Sequence, residues 1–325
     1  MHPLRSMYAT LPRMFYHTQR GLEYNNADPA NNPHDPRLAS VSRNRHIFPA
    51  GFGTSNSSND DPIEFTLPHL EDILIQQHTP EDHVEHIYVK SAEYCKEHEK
   101  PQHEFILVTV ETNEDPRFRN YIILDRTSSL PADKIAQHFA QTISPCSSSA
   151  QAKDRLRISY DGTLKPLLEH CSVSKYRVLE TLEFQKMSFL LYELVALSRA
   201  ASDRHRKYNT LSNQCYWYAS LVWDCTRQLL PATALVHTMH TKKNVRGKFG
   251  KVFYQRIDSK ELSTISEGVG QELTILRRKF ADAQKNRTNQ ETRLMEEQEK
   301  NAQLKRELDE LKSRSAKRDS MILLG

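Results

Sequence analysis

The sequence predicts an α+β fold: a small antiparallel sheet packed on two helices, flanked by a disordered N-terminal arm and a long C-terminal coiled-coil helix. Three observations carry this. Residues 103–112 (HEFILVTVET) and 120–126 (NYIILDR) are β-branched and aromatic runs on either side of a polar turn, NEDPRFR. That is the pattern of an antiparallel hairpin with a longer loop. Residues 178–202 and about 214–230 place apolar side chains at helical spacing. Beyond residue 260 one unbroken 3,4 register runs to Leu311.

In chain order, residues 1–60 are rich in Asn, Pro, His, Arg and Ser, end in GFGTSNSSNDDP, and show no sustained periodicity, so they are expected to be disordered. Residues 61–76 can form a short docking segment with Leu70, Ile73 and Leu74 on one helical face. Residues 80–99 mix helical and strand signals and are left open. The α+β domain is expected over 61–257, with its core in 100–256. Its third strand is RLRISYDG (155–162), where Leu156, Ile158 and Tyr160 alternate up to an Asp-Gly turn, and 144–154 reads as a flexible loop.

The strongest globular helix is 178–202, with Met187, Leu190, Leu191, Leu194, Leu197 and Ala201 on one face. The second helix ends at Pro231, because proline cannot continue it. KVFYQRI (251–257) is read as a closing strand. Residues 258–315 form the coiled-coil helix and 316–325 a flexible tail. Its seam holds Leu262, Val269, Leu273, Leu276, Phe280, Ala283, Leu294, Leu304, Leu308 and Leu311, interrupted by Ser266, Arg287, Gln290, Glu297 and Asn301. Such a seam implies self-association, or pairing with a helical partner, through 262–311.

Composition narrows the function. With 45 Lys+Arg against 41 Asp+Glu the net charge is +4, too small to predict a nucleic-acid partner. Mean hydropathy of −0.69 and the lack of any long apolar run exclude a membrane span. The first 22 residues hold Arg5, Arg13 and Arg20 without an acid, but form neither a secretory signal nor a clear amphipathic transit peptide. Five cysteines without CxxC spacing fit reduced thiols. The cytosol is the expected compartment, with the nucleus second. No phosphate-loop motif is present. His83-x-x-His86 and His237-x-x-His240 have spacings a metal could use on a helix, but no Cys or carboxylate set completes a site. No cofactor or metal is expected.

The chemistry centres on Cys215. A turn-prone run, Tyr208 to Asn213, leads through Gln214 into an aromatic helix, and Ser212 or Asn213 can cap it. A first-turn cysteine lies at the positive end of the helix dipole, which favours thiolate. The same place suits an inert buried thiol, so both readings stand at this point. Thiol catalysis also needs a base and a group to orient it. His103, at the start of a core strand, is the candidate base, and Asp125, near the end of the next strand, the candidate third member. The backbone N–H of Cys215, with Gln214, is the candidate oxyanion site.

The set HEFILVTV (103–110), NYIILDR, a long apolar helix and YNTLSNQCYWYA (208–219) resembles the permuted papain-like fold. Its lecithin:retinol-acyltransferase-like branch is the most similar. Fungal proteins with HEF and QCYWF segments are similar too. In that fold a strand-borne histidine precedes a cysteine that heads a helix. The resemblance, over about residues 100–256, implies Cys215 as nucleophile and His103 as base. It departs from the family where the residue before the cysteine is Gln214 rather than Asn, and where NYIILDR offers Asp125 instead of a histidine. The implied activity is a cysteine-dependent hydrolase or acyltransferase acting on an acyl, amide or thioester bond. The rival expectation is a non-catalytic scaffold assembling through its coiled coil.

Overall fold

A computed structural model describes residues 63–77, 84–98, 102–112, 119–128, 150–159, 162–173, 175–204, 207–208, 215–241, 246–249, 252–253 and 257–322. The arm expected at 1–60 lies outside these residues, as do His83, the Ser212–Asn213 cap and Gln214.

The described residues begin with β1 (Ile63–Thr66) and α1 (Leu67–Gln77), followed after a 3-10 turn by β2 (Ile87–Glu97), β3 (Glu104–Thr112), β4 (Arg119–Ser128) and β5 (Ala150–Ile158). Then come α2 (Leu164–His170), β6 (Tyr176–Phe184), α3 (Leu191–Arg204), β7 (Lys207–Tyr208) and α4 (Cys215–Leu229). Three short strands, β8 (Leu235–Met239), β9 (Lys248–Phe249) and β10 (Val252–Phe253), precede α5 (Ser259–Ile322). Seven strands form the main antiparallel sheet in the order β1-β5-β4-β3-β2-β6-β8, with β7 paired to β5. The sheet is thus larger than expected, and β3 stands at its middle.

Both faces of the centre are covered, which explains why β3 is buried almost without interruption. Side chains alternate between faces along a strand. Ile106, Val108, Ile122 and Leu124 join the main core with Leu194, Leu197, Leu221 and Trp223 of the helices. Phe105, Leu107 and Ile123 point the other way into a smaller core with Leu167 and Val173, around α2.

Several expectations change. Residues 178–184, expected as the start of the 178–202 helix, are strand within β6: Val178 and Thr181 are β-branched, and Leu182 and Phe184 bury on one face while β6 pairs with β2. Helix starts only at Leu191, after Met187 adopts a left-handed φ of 62°. Glu193 accepts from the Leu190 backbone N–H at 3.0 Å, a side chain reaching back over the helix start. The open segment 80–99 contains β2. The loop expected at 144–154 is strand from Ala150 onward, its earlier part lying outside the described residues. At the end of that strand, Gly162 takes a φ of 75°, which a side chain would oppose. The strand that closes the main sheet at this end is β8; of 251–257, the described Val252–Phe253 is strand, paired with Lys248–Phe249 apart from the main sheet.

The largest correction concerns α5. Ile265, Val269, Leu273, Leu276 and Phe280 are buried against the domain and belong to its main core. Ser266, which interrupts the seam, is buried too, and satisfies its hydroxyl on the Leu262 carbonyl at 2.8 Å. Lys279 pairs with Glu71 at 2.5 Å, and Arg287 donates to the Gln76 carbonyl. The first half of the expected coiled coil is therefore the domain's own outer helix, and the boundary at 257 moves to about residue 287. Beyond it Leu294, Leu304, Leu308 and Leu311 stay exposed, and the helical backbone runs to Ile322, through most of the expected tail. Truncating Leu273 to alanine should cost about 2–5 kcal/mol in urea denaturation. A helix that only pairs with another molecule would leave the domain's stability unchanged.

Candidate active site

The hairpin of β2 and β3 places His103. Its carbonyl accepts from the Glu97 N–H at 2.9 Å, which closes the hairpin, and its ring stacks on Phe105 at 6.3 Å between centroids. On the neighbouring strand β4, Asp125 faces the same side as Ile123. Its Oδ2 lies 3.1 Å from His103 Nε2. Cys215 opens α4 near this pair, close enough that it raises the His103 imidazole. The sulfur-bearing residue is 7% exposed and the His103 side chain 20%, so the group is largely shielded from water. The three residues singled out from the sequence, Cys215, His103 and Asp125, thus converge. Gln214 lies outside the described residues. As the first residue of its helix, Cys215 carries an N–H that no carbonyl within the helix accepts.

The electrostatics follow from this arrangement. Burial by itself would push the His103 imidazole down; Cys215 and Asp125 outweigh it and raise the group from 6.5 to about 10. For Asp125, burial favours the neutral acid, but His103, Arg157 and Arg155 reverse this and hold the carboxyl below its usual range. Arg157 donates to Asp125 Oδ2 at 2.7 Å, and Arg155 at 3.0 Å. Asp125 is 1% exposed, so two guanidiniums and an imidazole stabilise a carboxylate that water cannot.

These two arginines were missed in the sequence. The available signal was the alternation of Arg155 and Arg157 with Leu156 and Ile158, which puts two cations on one strand face. What the sequence lacked was the β4–β5 register that sets Asp125 opposite Arg155.

Cys95, Cys171 and Cys225 are free. Burial pushes Cys225 up to about 12, Cys171 up to about 11, and Cys95 well up. Among the described residues no cluster could hold a metal ion. His237 lies on β8 and His240 just beyond it, rather than on a helix; His237 meets Glu180 at 2.9 Å and His240 meets Thr181 at 2.8 Å. No described helix is long and apolar enough to cross a membrane.

In comparisons with protein-family models, with curated proteins and with solved structures, nothing matches the chain significantly.

Proposed function

We propose that the chain is a cysteine-dependent hydrolase or acyltransferase of permuted papain-like type, acting on an acyl, amide or thioester carbonyl. The observation that carries this reading is an imidazole tied to a buried carboxylate, with Cys215 at the head of α4 close enough to raise it. The His-before-Cys order of the family resemblance supports it.

His103 Nε2 is committed to Asp125, which leaves Nδ1 to serve the thiol. A charged imidazole beside Cys215 favours thiolate, the nucleophilic form. The sulfur attacks the carbonyl carbon, and the oxyanion that forms is met by the Cys215 N–H at the helix start. His103 gives its proton to the leaving group as the carbonyl reforms, producing a thioester on Cys215. Water or an acceptor hydroxyl or amine then attacks that thioester, losing its proton to His103, and Cys215 is regenerated. Asp125 keeps its charge throughout and stabilises the imidazolium.

Hydrolysis of an activated acyl thioester tests the reading. The wild-type chain should turn it over and accumulate an acyl adduct on Cys215, while Cys215→Ser should do neither. Equal turnover by Cys215→Ser would reject it.

A second reading, assembly with a helical partner or another copy, draws on the exposed Leu294, Leu304, Leu308 and Leu311 of α5. They recur at coiled-coil spacing. Because residues up to about 287 complete the domain core, the informative truncation removes 288–325. The mass measured by light scattering should then fall by more than the deleted residues account for, and a fall equal to the deletion alone rejects pairing through this helix.

A further inference from the structure

The aromatic run that follows the nucleophile, Tyr216-Trp217-Tyr218, meets cations anchored beside the other two members of the site. Arg126 follows Asp125 on β4 and so points to the opposite face of the sheet. There it is fully buried, and donates through Nε and Nη2 to the two oxygens of Asp154 at 2.5 and 2.7 Å. Its guanidinium carbon lies 5.0 Å from the Trp217 ring centroid and 4.8 Å from that of Tyr218. Lys96 behaves similarly. It pairs at 2.8 Å with Glu104, the residue after His103, and stands 5.1 Å over the Tyr216 ring.

The β4–β5 register links the two faces. Asp125 is opposite Arg155, and Arg126 is opposite Asp154. One pair of cross-strand partners therefore secures the carboxylate that serves His103, and the next pair secures the cation beneath the first turn of α4.

We propose that Arg126, locked by Asp154, is a positioning residue that fixes the first turn of α4 and so sets Cys215 against the His103–Asp125 pair. A planar guanidinium suits this place, because it can form two parallel bonds to a carboxylate while its faces meet aromatic rings. An ammonium keeps the charge but loses the plane. The inference rests on the thiol-catalysis reading above.

Two variants test it, each compared with wild type by circular dichroism, by the NMR titration of His103, and by the rate of Cys215 alkylation with iodoacetamide near neutral pH. Arg126→Leu/Asp154→Leu removes both buried charges together, leaving neither unpaired. Arg126→Lys keeps the charge in a folded chain should the double variant fail to fold. In wild type, His103 should titrate above its ordinary value, at about 10. In both variants it should titrate well below that, with alkylation slowed by about 10²-fold, the usual cost of a misplacement of about 1 Å. A merely structural role would lower stability and leave the His103 titration where it is. A folded variant with unaltered titration and alkylation overturns the positioning role alone. A wild-type Cys215 no more reactive than a thiol in the unfolded chain overturns the catalytic reading and this inference with it.

Discussion

Alanine in place of His103 should lower thioester turnover by about 10²–10⁴-fold, the range lost with a general acid–base group. It should also change how stability depends on pH. The folded imidazole is raised from 6.5 to about 10, so folding binds a proton between those values. The stabilisation is fully present below about 6.5 and is lost as pH rises through about 10. Wild-type unfolding midpoints in urea should therefore fall across that interval. His103→Ala should lack that part of the decline, and parallel curves for the two proteins would contradict the assigned ion pairing.

Alanine in place of Asp125 is expected to do more harm to the fold. Arg157 is 6% exposed, and its Nη2 is held to Asp125 at 2.7 Å. Arg155 retains Glu64 at 3.3 Å, but Arg157 would face an emptied place with its charge uncompensated. Breaking a buried pair by removing one partner costs about 3–5 kcal/mol. Urea denaturation of Asp125→Ala should show a loss of that size. Asp125→Asn, which keeps the shape and one accepting oxygen, should lose less stability while still losing the charge that supports the imidazolium. A change below about 1 kcal/mol in Asp125→Ala, the scale of an exposed pair, would contradict the clamp.

How far the sequence revealed this arrangement depends on the distance over which each signal acts. The β3 and β4 runs are local, β-branched and bounded by a turn, and both were readable. So was α4, from its polar approach and Pro231. Residues 178–184 were misread because Leu179 and Leu182 fit a helical face as well as a strand face, and only pairing with β2 decides between them. The α5 seam was read correctly as periodic, but periodicity does not say what covers a face. The domain itself covers Val269, Leu273, Leu276 and Phe280.

At the site, the residue types suggested Cys215, His103 and Asp125 before any contact was known. Arg155, Arg157, Arg126 and Asp154 were invisible as a group. They depend on the register between strands separated by residues 129–149, and a slip of one position would send every side chain to the opposite face. The aromatic run after Cys215 is buried. The contacts of Arg126 with Trp217 and Tyr218 add a polar purpose to that burial.

The most direct test of the account is residue-resolved alkylation by iodoacetamide, followed by mass spectrometry across a range of pH. Cys95, Cys171 and Cys225 serve as internal controls, since burial pushes each of those thiols up. Cys215 should be modified faster than these three controls, and His103→Ala should remove that advantage. Modification of Cys215 no faster than the three controls, or with a pH dependence unaltered in His103→Ala, would contradict the claim that Cys215, His103 and Asp125 act as one nucleophilic unit.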